Sequence, residues 1–257
     1  MTPLPRIMVA PNGARRTSAD HPALPMRIAE IVATARDCHA AGAGALHAHT
    51  RDRDGAHVLD AGLTRELLDA MTRTVPEMPV QITTESAGRY TPAEQRDFVR
   101  ETRPGWISVA LREMLSEGET APAREFYHDM AAQGVVVQHI LHDVEDTRRF
   151  VCLIAEGFLP ATPPQVLLVL GRYAEKRAAS PADLDAPLAA LSELSGPPAD
   201  WAVCAFGPQE TQCLAAALAA GGKARVGFEN NFHNADGSLA RDNAERVREV
   251  AALVSAR

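Results

Sequence analysis

Residues 43–52 read AGALHAHTRD, a short apolar run that ends in two histidines and further polar side chains. Successive side chains of a β-strand point to opposite faces, so His47 and His49 project to the same side, about 6.5–7 Å apart along the chain. Both imidazoles can therefore reach one ion, while Ala48 points the other way. At the end of a strand in a parallel barrel, such residues are typical of a catalytic rim.

Short apolar runs like this one alternate with longer helical patterns eight times along the chain. This alternation predicts a parallel α/β fold, and eight is the strand number of a TIM barrel. The length of 257 residues is close to the roughly 250 of such a barrel, so we expect one (β/α)8 domain over residues 1–257. The predicted strands are Arg6–Ala10, Ala45–His49, Val80–Thr84, Trp106–Ala110, Val135–Ile140, Val166–Leu170, Trp201–Ala205 and Ala224–Phe228.

Helix-start signals between the strands agree with this order. The run Thr91-Pro92-Ala93-Glu94 has a hydroxyl at the N-cap, a proline at N1 and a carboxylate at N3, and residues 180–183 and 242–245 repeat much of this pattern. The alternative architecture is an open, doubly wound sheet, which usually has a G-x-G-x-x-G turn after its first strand. Residues 11–15 read PNGAR instead, which favours the barrel.

Composition narrows the expected partners and location. The net charge of −7 opposes a phosphate backbone, so we expect no nucleic acid as a partner. The first ten residues lack the features of a secretory signal, and no apolar run approaches the roughly 20 residues that cross a bilayer. The four cysteines have no C-x-x-C spacing and are expected to be reduced. We therefore predict a cytoplasmic protein without membrane association.

The two histidines need a third ligand if they bind a metal. A catalytic zinc site has three protein ligands and an open position, and two histidines with one carboxylate form a standard set. The candidate carboxylate is Glu229, which ends the last apolar run in KARVGFENN, residues 223–231. The sequence thus predicts Zn2+, or another divalent ion, on His47, His49 and Glu229. The competing interpretations are ordinary hydrogen-bonded histidines and a carboxylate that pairs with an arginine.

Three segments in this order carry a resemblance: GAGALHAHTRD at 42–52, QITTES at 81–86 and GGKARVGFENN at 221–231. Together they resemble the β-keto acid cleavage enzyme family, whose namesake member cleaves 3-keto-5-aminohexanoate. The resemblance implies a zinc-dependent barrel that reacts a β-keto acid with acetyl-CoA, giving acetoacetate and a new acyl-CoA. It also implies a homo-oligomer, a tetramer or a dimer.

The resemblance assigns roles to individual residues. The family's metal ligands fall on His47, His49 and Glu229, its arginine falls on Arg225, and its strand-3 hydroxyl falls on Thr83 or Thr84. Arginine can fix an acidic group with its planar fork, and a threonine hydroxyl can donate to a developing oxyanion. The predicted catalytic residues are Arg225, Glu85, Thr83, Thr84 and Asn230, and the predicted substrate-binding residues are Arg15, Asn12, Ser108 and His142.

The chain also departs from the family pattern. Asn230 stands where most relatives have the aspartate base, and an amide has no titratable proton site near neutral pH. Arg15 stands near a family glutamate that recognises an amine, and Glu85 replaces a glycine turn. In one interpretation Glu85 is the new base and Arg15 favours an uncharged or acidic substrate. In the other the family reaction is lost, and Glu85 is a surface residue at the start of a loop.

Two other functions remain open at this stage. Amidohydrolase barrels also combine H-x-H with later histidines, and His139 and His142 fit that hypothesis. Its weakness is that H-x-H falls on the second strand and that the eighth strand ends in Glu229-Asn230 rather than a ligand aspartate. The second alternative is a non-catalytic barrel that binds a metal and a small acid, and Asn230 is the feature in its favour.

Overall fold

The computed structural model describes residues 3–171 and 178–255 of the chain. Eight strands form one closed parallel barrel in sequence order, and β1 pairs with β8. This pairing confirms the predicted TIM barrel and excludes an open sheet. The strands are β1 Ile7–Val9, β2 Ala45–Ala48, β3 Val80–Thr83, β4 Trp106–Ala110, β5 Val136–Leu141, β6 Gln165–Leu170, β7 Asp200–Ala205 and β8 Lys223–Val226.

Helices surround the barrel on the outside, and two of the predicted capping signals start them as expected. Thr91 and Glu94 form a capping box at the start of α3, and Asp242 accepts the backbone N–H of Glu245 at the start of α9. Ser180 caps a short 3-10 helix, Pro181–Leu184. The helices are α1 Ile28–Ala40, α2 Ala61–Thr74, α3 Pro92–Thr102, α4 Leu111–Met114, α5 Ala121–Ala132, α6 Val144–Ala155, α7 Asp185–Leu191, α8 Glu210–Ala219 and α9 Asn243–Ser255.

Apolar side chains pack in two layers because both faces of a parallel barrel are buried. The larger layer lies between the outer face of the strands and the helices. A smaller cluster fills the inside of the barrel, with Met8, Ala45, Leu167, Ala202 and Cys204 among its members. His47 and His49 continue the inward row of Ala45, so they point into the barrel above this cluster.

The amino end of the barrel is closed by an ion pair. Lys223 at the start of β8 contacts Asp200 at the start of β7, and the other carboxylate oxygen of Asp200 accepts the backbone N–H of Leu4 at 2.7 Å. Both side chains are mostly buried. The charged groups at this end therefore have protein partners.

The eighth strand ends two residues before its predicted end. Gly227 adopts φ +146, and a Cβ atom at this position would collide with the carbonyl oxygen of Ala10. That oxygen accepts the backbone N–H of Glu229 at 3.1 Å. The chain thus turns sharply at Gly227 and brings Glu229 over the mouth of the barrel, a path that only glycine allows.

No helix among residues 3–171 and 178–255 is both long and apolar enough to cross a membrane.

Candidate metal centre

Three side chains converge at the carboxyl end of the barrel. The two Nε2 atoms of His47 and His49 lie 3.1 Å apart, and Oε2 of Glu229 lies 3.5 Å from each of them. Both histidines are 1% exposed and Glu229 is 13% exposed. The predicted convergence of these three residues is confirmed.

The spacing of these three atoms fits a small divalent cation. In a tetrahedral zinc site with bonds of about 2.0–2.2 Å, neighbouring ligand atoms are separated by about 3.3–3.6 Å. The three distances here, 3.1, 3.5 and 3.5 Å, are close to that spacing. Oε2 of Glu229 is buried and has no hydrogen-bond partner within the described chain. The donor set therefore fits the metal that the resemblance implies.

Electrostatics keep His47 and Glu229 in the forms that bind metal. Burial lowers the pKa of His47 well below its ordinary value, and Arg225 lowers it further, so this imidazole is neutral. Burial alone would raise the pKa of Glu229, but Arg225 and the two histidines hold it well below its usual range. Neutral imidazoles and an ionised carboxylate are the forms in which these side chains coordinate a cation.

Contacts with the β1–α1 loop fix the positions of His49 and Glu229. The buried side chain of Asn12 donates to the carbonyl of His49 at 2.9 Å and to that of Pro25, and accepts the N–H of His49 at 3.3 Å. Gly13 packs against Glu229 so closely that a Cβ would lie 2.6 Å from Cγ of the glutamate. The β1–α1 loop therefore holds both the second histidine and the carboxylate.

Arg225 lies fully inside the barrel next to Glu229. Its Nη2 donates to Oε1 of Glu229 at 3.0 Å and contacts Sγ of Cys204 at 3.4 Å. Its Nε and Nη1 groups are buried and have no hydrogen-bond partner among the residues described. Two nitrogen donors of Arg225 are therefore available to an acceptor in the site.

Glu85 lies at the opening of the site. Its Oε2 is 3.9 Å from Nδ1 of His49, and 28% of its side chain is exposed. Burial raises the pKa of Glu85, although His49 opposes this effect. This position favours a role in the site over that of a surface residue.

The two candidate hydroxyls of strand 3 differ in their surroundings. Thr84 donates its hydroxyl hydrogen to the carbonyl of Ser108 at 2.9 Å. Thr83 alternates with Gln81, which faces the barrel interior, and its oxygen accepts the N–H of Glu85 at 3.0 Å. Thr83 therefore has a hydroxyl hydrogen to offer inside the barrel, while that of Thr84 is already used.

The other predicted site residues lie around the same mouth, with different degrees of exposure. Asn230 and Ser108 are each 1% exposed, and their side-chain polar atoms have no hydrogen-bond partner in the described part of the chain. Arg15 is exposed on the β1–α1 loop. The backbone N–H of His142 is bound by the carboxylate of Asp146 at 3.0 Å. Asn12 as a substrate ligand stays a prediction, and its contacts support positioning of His49 instead.

Two residues of this region were missed by sequence reasoning. Gln81 accepts from Nδ1 of His47 at 2.9 Å, and its own amide reaches Gln138. The signal in the sequence is a glutamine that directly follows a valine in each of two strands, β3 and β5.

The hydrolase alternative fails on the position of His139. This residue points away from the barrel interior and packs between Tyr127 and Phe150, with ring centroids 5.4 and 4.9 Å away. Because it lies on the outer face of β5, it cannot join His47 and His49 on one ion.

Solved structures identify the class of fold. The complex of ObcA with oxaloacetate matches at a TM-score of 0.70 and 16% identity, over 92% of this chain and 64% of that chain. The 3-hexulose-6-phosphate synthase of Salmonella typhimurium matches at a TM-score of 0.60 and 12% identity, over 98% and 99% of the two chains. At these identities the likeness shows the fold alone. This chain spans about two thirds of the length of ObcA and has the architecture of TIM-barrel enzymes.

Sequence comparison then identifies the family. The profile of the β-keto acid cleavage enzyme family matches residues 6–257, so the chain belongs to this family. The 3-keto-5-aminohexanoate cleavage enzyme of Fusobacterium nucleatum is 28% identical over 94% of this chain and 88% of its own length. The 3-oxoadipate:acetyl-CoA acetyltransferase of Cupriavidus necator is 24% identical over 96% and 87%. The resemblance seen in the three sequence segments is confirmed.

Proposed function

We propose that this protein is a zinc-dependent enzyme that exchanges acyl groups between a β-keto acid and acetyl-CoA, giving acetoacetate and a new acyl-CoA. The single observation that carries the proposal is the convergence of His47, His49 and Glu229 with the spacing of a tetrahedral zinc site. Membership of the β-keto acid cleavage enzyme family supports it, as do relatives named as acetyl-CoA transferases.

The exchange sets clear chemical demands on the site. The carbon between the keto and carboxylate groups must lose a proton and form a bond to the acetyl carbonyl, from which the thiolate of CoA leaves. The same thiolate then attacks the original keto carbon. The bond between that carbon and the newly acetylated carbon breaks, which leaves acetoacetate and a new acyl-CoA. Negative charge develops on oxygen in both steps, and one proton leaves and returns.

The metal centre and Arg225 account for binding the acidic substrate and for stabilising negative charge on its oxygen atoms. His47, His49 and Glu229 would hold a divalent cation, which would supply a Lewis acid that stabilises negative charge on the oxygens of the substrate. Arg225 places two nitrogen donors, Nε and Nη1, which have no partner among the described residues, inside the same mouth, and a guanidinium binds carboxylates well. Arg225 therefore holds the acidic group of the substrate beside the ligands.

Hydroxyl donors give further stabilisation of the developing charge, and a carboxylate accepts the proton that leaves the substrate carbon. Thr83 at the end of β3 and its register partner Ser108 in β4 offer hydroxyl groups that stabilise charge that builds on oxygen. Asn230 cannot take a proton. Glu85 is the carboxylate beside His49, and it accepts the proton from the substrate carbon. Arg15 belongs to the same mouth and selects substrates that are uncharged or acidic at their far end.

The reaction is tested with metal-loaded protein, acetyl-CoA and a panel of β-keto acids, by measuring acetoacetate and acyl-CoA. We expect both products with at least one acid. Glu85→Gln should then lose at least about 100-fold in turnover, the scale of a lost general base, while it keeps its metal. Asp54→Asn, on an exposed position of the next loop, is the control and should match the parent. Unchanged turnover in Glu85→Gln would remove Glu85 from the mechanism.

A second candidate function is a barrel that binds metal and a small acid without turnover. Asn230, which lacks the proton site of the family aspartate, favours it. Stoichiometric metal together with no product from any acid of the panel would support this candidate and reject the exchange reaction. We also propose that the protein is a cytoplasmic homo-oligomer, which sedimentation and fractionation would test.

A further inference from the structure

A chain of hydrogen bonds runs from His47 across the interior of the barrel. Nδ1 of His47 lies 2.9 Å from Oε1 of Gln81, and Nε2 of Gln81 donates to Oε1 of Gln138 at 2.9 Å. Nε2 of Gln138 donates in turn to the carbonyl of Val166 at 3.4 Å. The two glutamines are 0% exposed and His47 is 1% exposed, so no water competes for these bonds.

The carbonyl of Val166, at the end of this series of hydrogen bonds, decides which atom donates and which accepts in each of them. The carbonyl of Val166 can only accept, so the atom of Gln138 that faces it must be the NH2 group. Gln138 then offers its oxygen to Gln81, which must donate with its own NH2 group and present its oxygen to His47. Nδ1 of His47 must therefore carry the hydrogen.

The tautomer decides what His47 can do on its other side. A neutral imidazole with its hydrogen on Nδ1 has its lone pair on Nε2. Nε2 is the atom that faces His49 and Glu229. In the opposite tautomer an N–H group would point at the cation, and the ligand would be lost. Metal-binding histidines usually have such a partner on the second nitrogen.

We propose that Gln81 and Gln138 are positioning residues of the metal centre, which fix the tautomer and ring orientation of His47 from the neighbouring strand β3 and from β5. This inference rests on the metal centre of the proposed function. It assigns the two amides a role in metal affinity, beyond filling space. A purely structural pair would affect the stability of the barrel and leave the affinity for zinc unchanged.

Two variants separate these roles. Gln81→Met keeps the length of the side chain and removes both polar atoms, which leaves Nδ1 of His47 and Oε1 of Gln138 without their partners. The double variant Gln81→Met/Gln138→Met removes both amides together, and replacing both members of a buried pair by apolar groups is often nearly neutral for stability. Thr64→Val, which removes a buried hydroxyl on α2 with no hydrogen-bond partner in the described structure, is the control.

The readouts are the zinc dissociation constant from chelator competition and the nitrogen-15 chemical shifts of the His47 ring in metal-free protein. We expect the parent to show the Nδ1-protonated tautomer. Both glutamine variants should bind zinc about 10–100-fold more weakly and show a mixture of tautomers. The control should match the parent in both measurements.

The outcomes distinguish this inference from the proposed function. If the parent binds zinc and the double variant is folded and binds it equally tightly, the positioning role is overturned and the metal centre stands. If the parent binds no zinc, the metal centre itself is overturned. A Gln81→Met variant that does not fold leaves the decision to the double variant, in which neither amide of the pair is left without its partner.

Discussion

The two ends of this barrel differ in the partners of their buried charged groups. At the amino end, Lys223 pairs with Asp200, whose second oxygen binds the N–H of Leu4. At the carboxyl end, buried atoms without a hydrogen-bond partner cluster within the described structure. They are Nδ1 of His49, Oγ of Ser108, Nε and Nη1 of Arg225, Oε2 of Glu229, and both polar side-chain atoms of Asn230.

The difference separates groups that support the fold from groups kept for a ligand. A buried polar atom without a partner costs about 1–3 kcal/mol, so a cluster of them at one end destabilises the protein unless something binds there. The same end carries the three converging ligand atoms. At the amino end, the charged pair Lys223 and Asp200 has its partners within the protein, as expected where a TIM barrel is built for stability.

The largest expected effect tests the carboxyl end directly. His47→Ala removes one of three ligands, and we expect a complete loss of stoichiometric zinc, measured by elemental analysis after dialysis. Asp200→Asn at the amino end should keep the full complement. A His47→Ala protein that retained zinc at full occupancy would reject this residue as a ligand.

The next effect concerns the turn that carries Glu229 over the mouth. Gly227→Ala places a methyl group against the carbonyl of Ala10, and we expect a loss of about 3 kcal/mol or more in the free energy of unfolding. Gly134→Ala also has positive φ but meets nothing within 4 Å, so its cost should stay near 1 kcal/mol. Urea unfolding of both variants checks the difference; equal losses would contradict the collision.

The amino end should respond in stability alone. Replacing Lys223 by Met leaves the carboxylate of Asp200 with only the N–H of Leu4, and we expect a loss of about 1–2 kcal/mol. Because this pair lies at the far end from the metal centre, the zinc dissociation constant should not change. A weaker zinc site in this variant would show that the two ends are coupled.

The smallest expected effect concerns His139, a buried histidine on the outer face of β5. Burial lowers the pKa of His139 to about 3, so the native ring stays neutral while the unfolded ring takes up a proton below about pH 6.5. The parent should therefore lose stability through His139 as pH falls from 6.5, by about 1.4 kcal/mol per unit.

His139→Phe removes this term. At pH 5.5 the variant should lose about 1 kcal/mol less than the parent relative to pH 7.5, in urea unfolding at both values. Parallel pH profiles for the two proteins would show that His139 is protonated in the native state. Zinc binding should be the same in both, because His139 packs on the outer face.

The barrel and the shared face of His47 and His49 could both be predicted from local patterns in the sequence. Alternation with a period of two places His47 and His49 on one face, and it needs no knowledge of neighbouring strands. The capping box at Thr91 is equally local. By contrast, the link from Gln81 to Gln138 depends on the register of β2, β3 and β5, and on the barrel closing so that their inner faces meet.

Other features could not be predicted because they depend on contacts between distant segments. Asn12 follows the first strand, where a substrate ligand was expected, yet its amide is used by the backbone of His49 and by Pro25. The early end of β8 follows from the approach of Ala10 to Gly227. Neither contact leaves a periodic pattern in the sequence.

The packing of Gly13 against Glu229 restricts how this enzyme can be diversified. Any side chain at position 13 would push the carboxylate of Glu229 away from His47 and His49, so we expect a library randomised there to consist almost entirely of inactive clones. Exposed Arg15, two residues further on, has no such restriction. A search for new substrate preferences in the first loop should therefore begin at Arg15 and leave Gly13 untouched.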